Sequence, residues 1–174
     1  MMDKENYIVK LARDAIVEYV QKGVKISPPE EIPDDLQKKN GVFVSLKKKG
    51  KLRGCIGTTD SVQDNTAEEI VSNAISAADN DPRFPSVKPE ELPELKISVD
   101  ILGEKERVNS KEELDPAKYG VIVKKGHRTG LLLPDLEGID TVEKQLAVAK
   151  KKAGLTPDTR VDQIYRFPVH RFRE

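Results

Sequence analysis

The sequence predicts an α+β fold: a mainly antiparallel sheet flanked by helices. Three observations lead there. Strand-like alternation comes in hairpin pairs, at residues 42–47 with 52–58 and again at 121–124 with 129–133. Helical periodicity appears in separate stretches near residues 8–20, 67–78 and 141–153. These elements do not follow the β-α-β alternation that a parallel sheet needs.

In chain order, the first helix shows Ile8, Leu11, Ala12, Ala15, Ile16, Tyr19 and Val20 on one side, with Asp3 as its N-cap and Gly23 as its stop. A proline-rich stretch at 27–33 has no regular pattern. Val42, Val44 and Leu46 then alternate with Phe43, Ser45 and Lys47, and a turn at Lys49-Gly50-Lys51 leads into LRGCIGT, Leu52 to Thr58. The second helix places Ala67, Ile70, Val71, Ala74, Ile75 and Ala78 together, small residues suited to close packing on a sheet. Pro82 prevents it from continuing.

The next segment, DPRFPSVKPEELPEL, holds Pro82, Pro85, Pro89 and Pro93 and is expected to be stiff and extended, with one helical turn. Leu95, Ile97, Val99 and Ile101 alternate as a strand. Ser110 with Glu113 forms a capping-box pattern for a short helix. The second hairpin is expected to turn at Lys125-Gly126-His127. A last helix starts with Asp140 as N-cap and Glu143 three residues on, and stops at Gly154. Tyr165, Phe167 and Val169 alternate in a closing strand. We expect one domain over 1–174, with a smaller lobe at about 86–133 entered through the proline-rich loop.

Composition narrows the function classes. Lys+Arg and Asp+Glu number 30 each, so the net charge is zero, which argues against a dedicated nucleic-acid binder. No apolar run reaches the ~20 residues of a membrane span, and the opening MMDKENY has no signal-peptide core. A single cysteine allows no internal disulfide. These features lead us to expect a cytoplasmic protein. One Cys and two distant His give no metal-ligand spacing, so no metal and no cofactor are expected. The phosphate-loop and serine-hydrolase signatures are absent.

The chemistry-bearing stretch is LRGCIGT. Strand alternation puts Leu52, Gly54 and Ile56 on one face and Arg53, Cys55 and Gly57 on the other. A cation beside a thiol favours thiolate, so Cys55 is a candidate nucleophile with Arg53 holding an anionic group. Flanking glycines leave room for a substrate to approach. Against this, a catalytic cysteine needs a base, and neither His127 nor His170 sits in a motif with Cys55. A free cysteine is often a small buried apolar residue, the reading residue chemistry alone favours here. Arg53 has two readings of nearly equal weight: an internal ion pair, for example with Asp81 or Glu69, or an anion site.

Several motifs occur in a fixed order: GVFVSLKKKGKLRGCIGT, DPRFP, ELKISVDIL, YGVIVKKGHRTGLLLPDLEG and KKAGL. In this order the chain resembles the AMMECR-one family along its full length, with LRGCIG at Leu52 to Gly57 as the family signature. The resemblance implies larger and smaller subdomains with a cleft between them, the signature hairpin lying near that cleft. It also implies partners: a Memo-type protein that resembles extradiol dioxygenases, and a radical S-adenosylmethionine protein, acting in one modification pathway. On this reading Cys55 and Arg53 are the candidate catalytic pair, and Gly54, Gly57, Arg83 and Phe84 help bind a small anionic or protein-borne substrate. The alternative is a non-catalytic binding or adaptor module in which Arg53 and Cys55 are structural. Nucleic-acid binding ranks below both.

Overall fold

The computed structural model describes residues 4–174, and it is an α+β fold. Asp3, expected as a helix cap, lies outside the described residues. By Cα proximity the chain forms two compact units, Met1–Ile101 with His170–Glu174, and Leu102–Val169. The second unit begins later and extends further than the smaller lobe expected at about 86–133.

In the first unit, helix α1 (Lys4–Lys22) is followed by a short α2 (Asp34–Gln37), strands β1 (Val42–Lys48) and β2 (Lys51–Thr58), helix α3 (Thr66–Asp79) and strand β3 (Leu95–Leu102). The sheet runs β2-β1-β3, with both pairings antiparallel. Val42, Val44 and Leu46 of β1 and Leu95, Ile97 and Val99 of β3 are buried on one face, as strand alternation requires. Ile8, Leu11, Ala15 and Ile16 of α1 and Ile70, Ala74 and Ala77 of α3 cover that face, giving one continuous core.

Local sequence explains the boundaries. Gly23 closes α1 at φ +69°, its N–H bonded to the carbonyl of Tyr19 at 2.8 Å. The β1–β2 turn is Lys49-Gly50 alone, both with positive φ, as a tight hairpin needs; Lys51 already belongs to β2 and pairs with Lys48. Asn65 caps α3 by accepting from the N–H of Glu68 at 2.9 Å. Asp81 to Lys88 then runs without regular structure into a 3-10 turn at Pro89–Glu94.

The second unit contains β4 (Glu106–Val108), β5 (Tyr119–Lys125), β6 (Arg128–Leu132), helix α4 (Val142–Lys152) and most of β7 (Gln163–Arg173). β5 pairs antiparallel with β6 and with β7, and β4 pairs with β7. Val121, Val123, Leu132, Leu146 and Ala149 form its core. The Ser110–Glu113 capping box caps a single 3-10 turn, Lys111–Glu113, and β4 was not foreseen. The N-cap of α4 is Thr141, whose hydroxyl accepts from Lys144 N–H at 3.2 Å; Asp140 instead pairs with the Lys144 ammonium. Gly154 ends α4 at φ +70°, where the N–H groups of Gly154 and Leu155 bond the carbonyls of Lys151 and Lys150.

Candidate functional site

The signature hairpin and the DPRFP segment meet within the first unit, through hydrogen bonds of Arg53, Cys55, Asp81 and Arg83. The register between β1 and β2 shifts between Leu46 and Lys47: Leu46 lies opposite Gly54 and Lys47 opposite Leu52. Arg53 is the extra residue of this bulge, and a bulge re-aims the side chain it carries. The guanidinium reaches Glu91 in the 3-10 turn, Nε donating to Oε1 at 3.0 Å and Nη2 to Oε2 at 2.9 Å. Nη1 also donates to the Pro85 carbonyl at 3.0 Å and Nη2 to that of Ser86 at 3.3 Å. Only 12% of the side chain is exposed.

Glu91 is held as firmly. Besides Arg53, it accepts from Lys48 Nζ at 3.0 Å and from Lys88 N–H at 3.0 Å. The Arg53 hydrogen bond is the main force lowering its pKa to about 2; burial opposes the change, and Lys88 and Lys48 add to it. This is the internal ion pair allowed for in the sequence, with Glu91 in place of Asp81 or Glu69. A guanidinium committed to a carboxylate and two carbonyls has little left for an anionic ligand.

Cys55 lies opposite Ser45 of β1, and its sulfur shares a 3.2 Å hydrogen bond with the Ser45 hydroxyl. Cys55 is half-buried. The guanidinium that reaches it is that of Arg83: Nη2 donates to the Cys55 carbonyl at 3.2 Å. Cys55 N–H donates to Asp81 Oδ2 at 2.9 Å. Asp81 is buried and grips Arg83 through both oxygens, at 3.0 and 2.7 Å. Chiefly through that bond its carboxyl sits far below the usual range, burial opposing and the Cys55 and Arg83 N–H groups assisting. Arg83 itself is 56% exposed, and its guanidinium lies 5.5 Å from the centre of the half-buried Phe84 ring.

The two glycines do different things. Gly54 is buried on the face opposite Cys55; a Cβ there would stand 2.1 Å from the carbonyl oxygen of Ala77 in α3. It serves the packing of α3 on β2, not the approach of a ligand. A Cβ at Gly57 would meet the Phe43 ring at 2.1 Å, so that ring lies across the glycine. Arg53, Cys55, Arg83 and Phe84 are thus tied to one loop and hairpin, while Gly54 faces away from them.

Sequence reasoning missed Ser45 and Glu91. Strand alternation places Ser45 on the Cys55 face, and that was the available signal. For Glu91 there was none, since Glu90, Glu91 and Glu94 all sit in the same turn. Glu69 has a separate task. Buried in α3, it accepts from the Thr58 and Ser61 hydroxyls and from the N–H groups of Val62 and Gln63, at 2.7–2.9 Å. Among the described residues no group of three or more His, Cys, Asp or Glu is arranged to hold a metal, and no helix is long and apolar enough to cross a membrane.

Fold and motif together define a two-unit α+β protein carrying an LRGCIG edge hairpin. The AMMECR1 family profile matches residues 9–172, and the chain belongs to that family. It is 52% identical over 171 residues to a Thermotoga maritima protein, covering 97% of this chain and 98% of the relative. A Clostridium acetobutylicum protein is 52% identical over 178 residues, covering 99% of this chain but only 36% of that longer protein. The crystal structure of an uncharacterized Pyrococcus horikoshii protein superposes with a TM-score of 0.90 at 36% identity, covering 98% of this chain and 91% of that one.

Proposed function

We propose that this chain is a non-catalytic binding component of a modification pathway, acting beside the Memo-type and radical S-adenosylmethionine proteins that its family resemblance implies. The observation that carries this reading is the Arg53–Glu91 pair. A thiol enzyme of the expected kind needs an uncommitted cation near Cys55; Arg53 is spent on Glu91, Pro85 and Ser86, and Arg83, which reaches the Cys55 carbonyl, is held by the buried Asp81 carboxylate. The sulfur is matched with a serine hydroxyl, not with a histidine base.

What remains presented to solvent is Arg83 beside Phe84, held rigidly by Asp81. A pre-ordered arginine and aromatic pair is suited to gripping another protein, because little side-chain freedom is lost on contact. In this reading the substrate is protein-borne, and the DPRFP segment supplies the contact.

The test is a titration calorimetry measurement between this chain and each purified partner protein. The Arg83→Ala/Phe84→Ala variant should weaken the interaction about tenfold or more, the size of an interface hot spot. Cys55→Ser should bind as the unaltered chain does. Equal binding by the Arg83→Ala/Phe84→Ala variant rules out this surface.

A second reading keeps the thiol as carrier, and the half-buried state of Cys55 favours it. Rapid labelling of native Cys55 by a maleimide at neutral pH would support that reading.

A further inference from the structure

β2 is an edge strand: among the described strands it pairs with β1 alone. It is eight residues long and contains no proline. The charge in its interior, Arg53, is turned onto Glu91. Long edges without proline or outward charge are templates on which further strands add, and folded proteins block them.

Here the block is made of side chains. Asp81 Oδ2 accepts from Cys55 N–H at 2.9 Å, and Arg83 Nη2 donates to the Cys55 carbonyl at 3.2 Å. These are the two hydrogen bonds that a facing residue of a neighbouring antiparallel strand would make. Asp81 and Arg83 bond each other through two contacts, so they act as one rigid plug. Further along, Arg53 donates to the carbonyls of Pro85 and Ser86 and fixes the same segment beside the strand. The residues between carry Pro82 and Pro85, which cannot donate to a further strand.

We propose that the segment from Asp81 to Ser86 is a built-in edge guard, occupying the place where β2 of a second copy of this chain would otherwise pair. A second copy is the occupant because an antiparallel strand is complementary to itself. In a two-fold pairing centred on Cys55, each Cys55 N–H meets the other copy's Cys55 carbonyl. The inference does not depend on the proposed partner proteins.

Analytical ultracentrifugation over a hundredfold concentration range tests it, with circular dichroism and a melting curve to verify folding. Asp81→Ala/Arg83→Ala removes both halves of the plug and leaves no orphan charge. Its weight-average mass should rise with concentration toward twice that of the unaltered chain under the same conditions. Adding Cys55→Pro removes the exposed edge donor and should return the mass to the unaltered value. Asp81→Ser alone withdraws the carboxylate from Cys55 N–H and releases Arg83, whose mostly exposed charge stays in water, and it should show the same rise at higher concentration. If the double variant folds and sediments as the unaltered chain does, the guard is not needed and the inference fails. If the double variant does not fold, the single variant decides on the same criterion.

Discussion

Arg53 and Glu91 meet fork to fork, with Nε–Oε1 at 3.0 Å and Nη2–Oε2 at 2.9 Å. This pair joins the edge strand to the 3-10 turn 38 residues later in the chain, and both side chains are largely withdrawn from solvent. Removing Arg53 leaves the desolvated Glu91 with only Lys48 and the Lys88 N–H, and removing Glu91 leaves the Arg53 charge with carbonyls alone, a cost beyond what the pair itself contributes. Arg53→Ala should lower unfolding free energy by about 2 kcal/mol. Arg53→Lys keeps the charge but loses the planar fork and should recover only part of that. Urea denaturation of both variants measures it.

The same pair sets a pH dependence. Glu91 is lowered from 4.5 to about 2, mainly by Arg53. A depressed carboxylate contributes stability that is complete above its unfolded value and is lost as pH falls through its folded value. Asp81 is lowered further and acts in the same direction. The advantage of the unaltered chain over Glu91→Gln should therefore be full at pH 6 and shrink between pH 4.5 and about 2. Denaturation midpoints across that range read it directly.

Gly54 and Gly57 should respond differently to a single added methyl. At Gly54 the obstacle is the backbone carbonyl of Ala77, which cannot turn aside, so Gly54→Ala should cost about 3 kcal/mol. At Gly57 the obstacle is the Phe43 ring, a side chain able to shift. Gly57→Ala should cost about 1–2 kcal/mol in the unaltered chain and less in a Phe43→Ala background. A double-mutant cycle by thermal or urea unfolding gives the coupling.

Glu69 ties down the loop after β2. Burial pushes its pKa up, but the Gln63 N–H, the Thr58 and Ser61 hydroxyls and the Val62 N–H outweigh that and hold it below the ordinary value. Glu69→Gln brings an amide N–H₂ toward groups that are themselves donors. Stability should fall by about 2 kcal/mol. Amide exchange at Val62 and Gln63 should accelerate well beyond that of the α3 core, as hydrogen-exchange mass spectrometry would show.

Most of the fold was legible because it rests on periodic burial. Val42, Val44 and Leu46 announced a half-buried strand, and Ala67 through Ala78 announced a helix closely packed on it. Short elements were not legible: β4 spans three residues and α2 four, too few for a period to register. Asp140 was expected to cap α4, but Thr141, one residue on and also a good cap, takes the position. At the site, the alternation that put Arg53 beside Cys55 assumed a regular strand. The bulge breaks that regularity, and it sends Arg53 to a carboxylate far along the chain. A long-range ion pair leaves no local trace, so both readings of Arg53 were open until the fold resolved them.

The claim on which the functional account turns is that Cys55 carries no chemistry. In cells from which this chain has been deleted, Cys55→Ser produced at the native protein level should restore the wild-type metabolite and protein-modification profile, read by mass spectrometry. A Cys55→Ser protein that folds and accumulates normally, yet restores nothing, would contradict that claim and return the thiol to the centre of the mechanism.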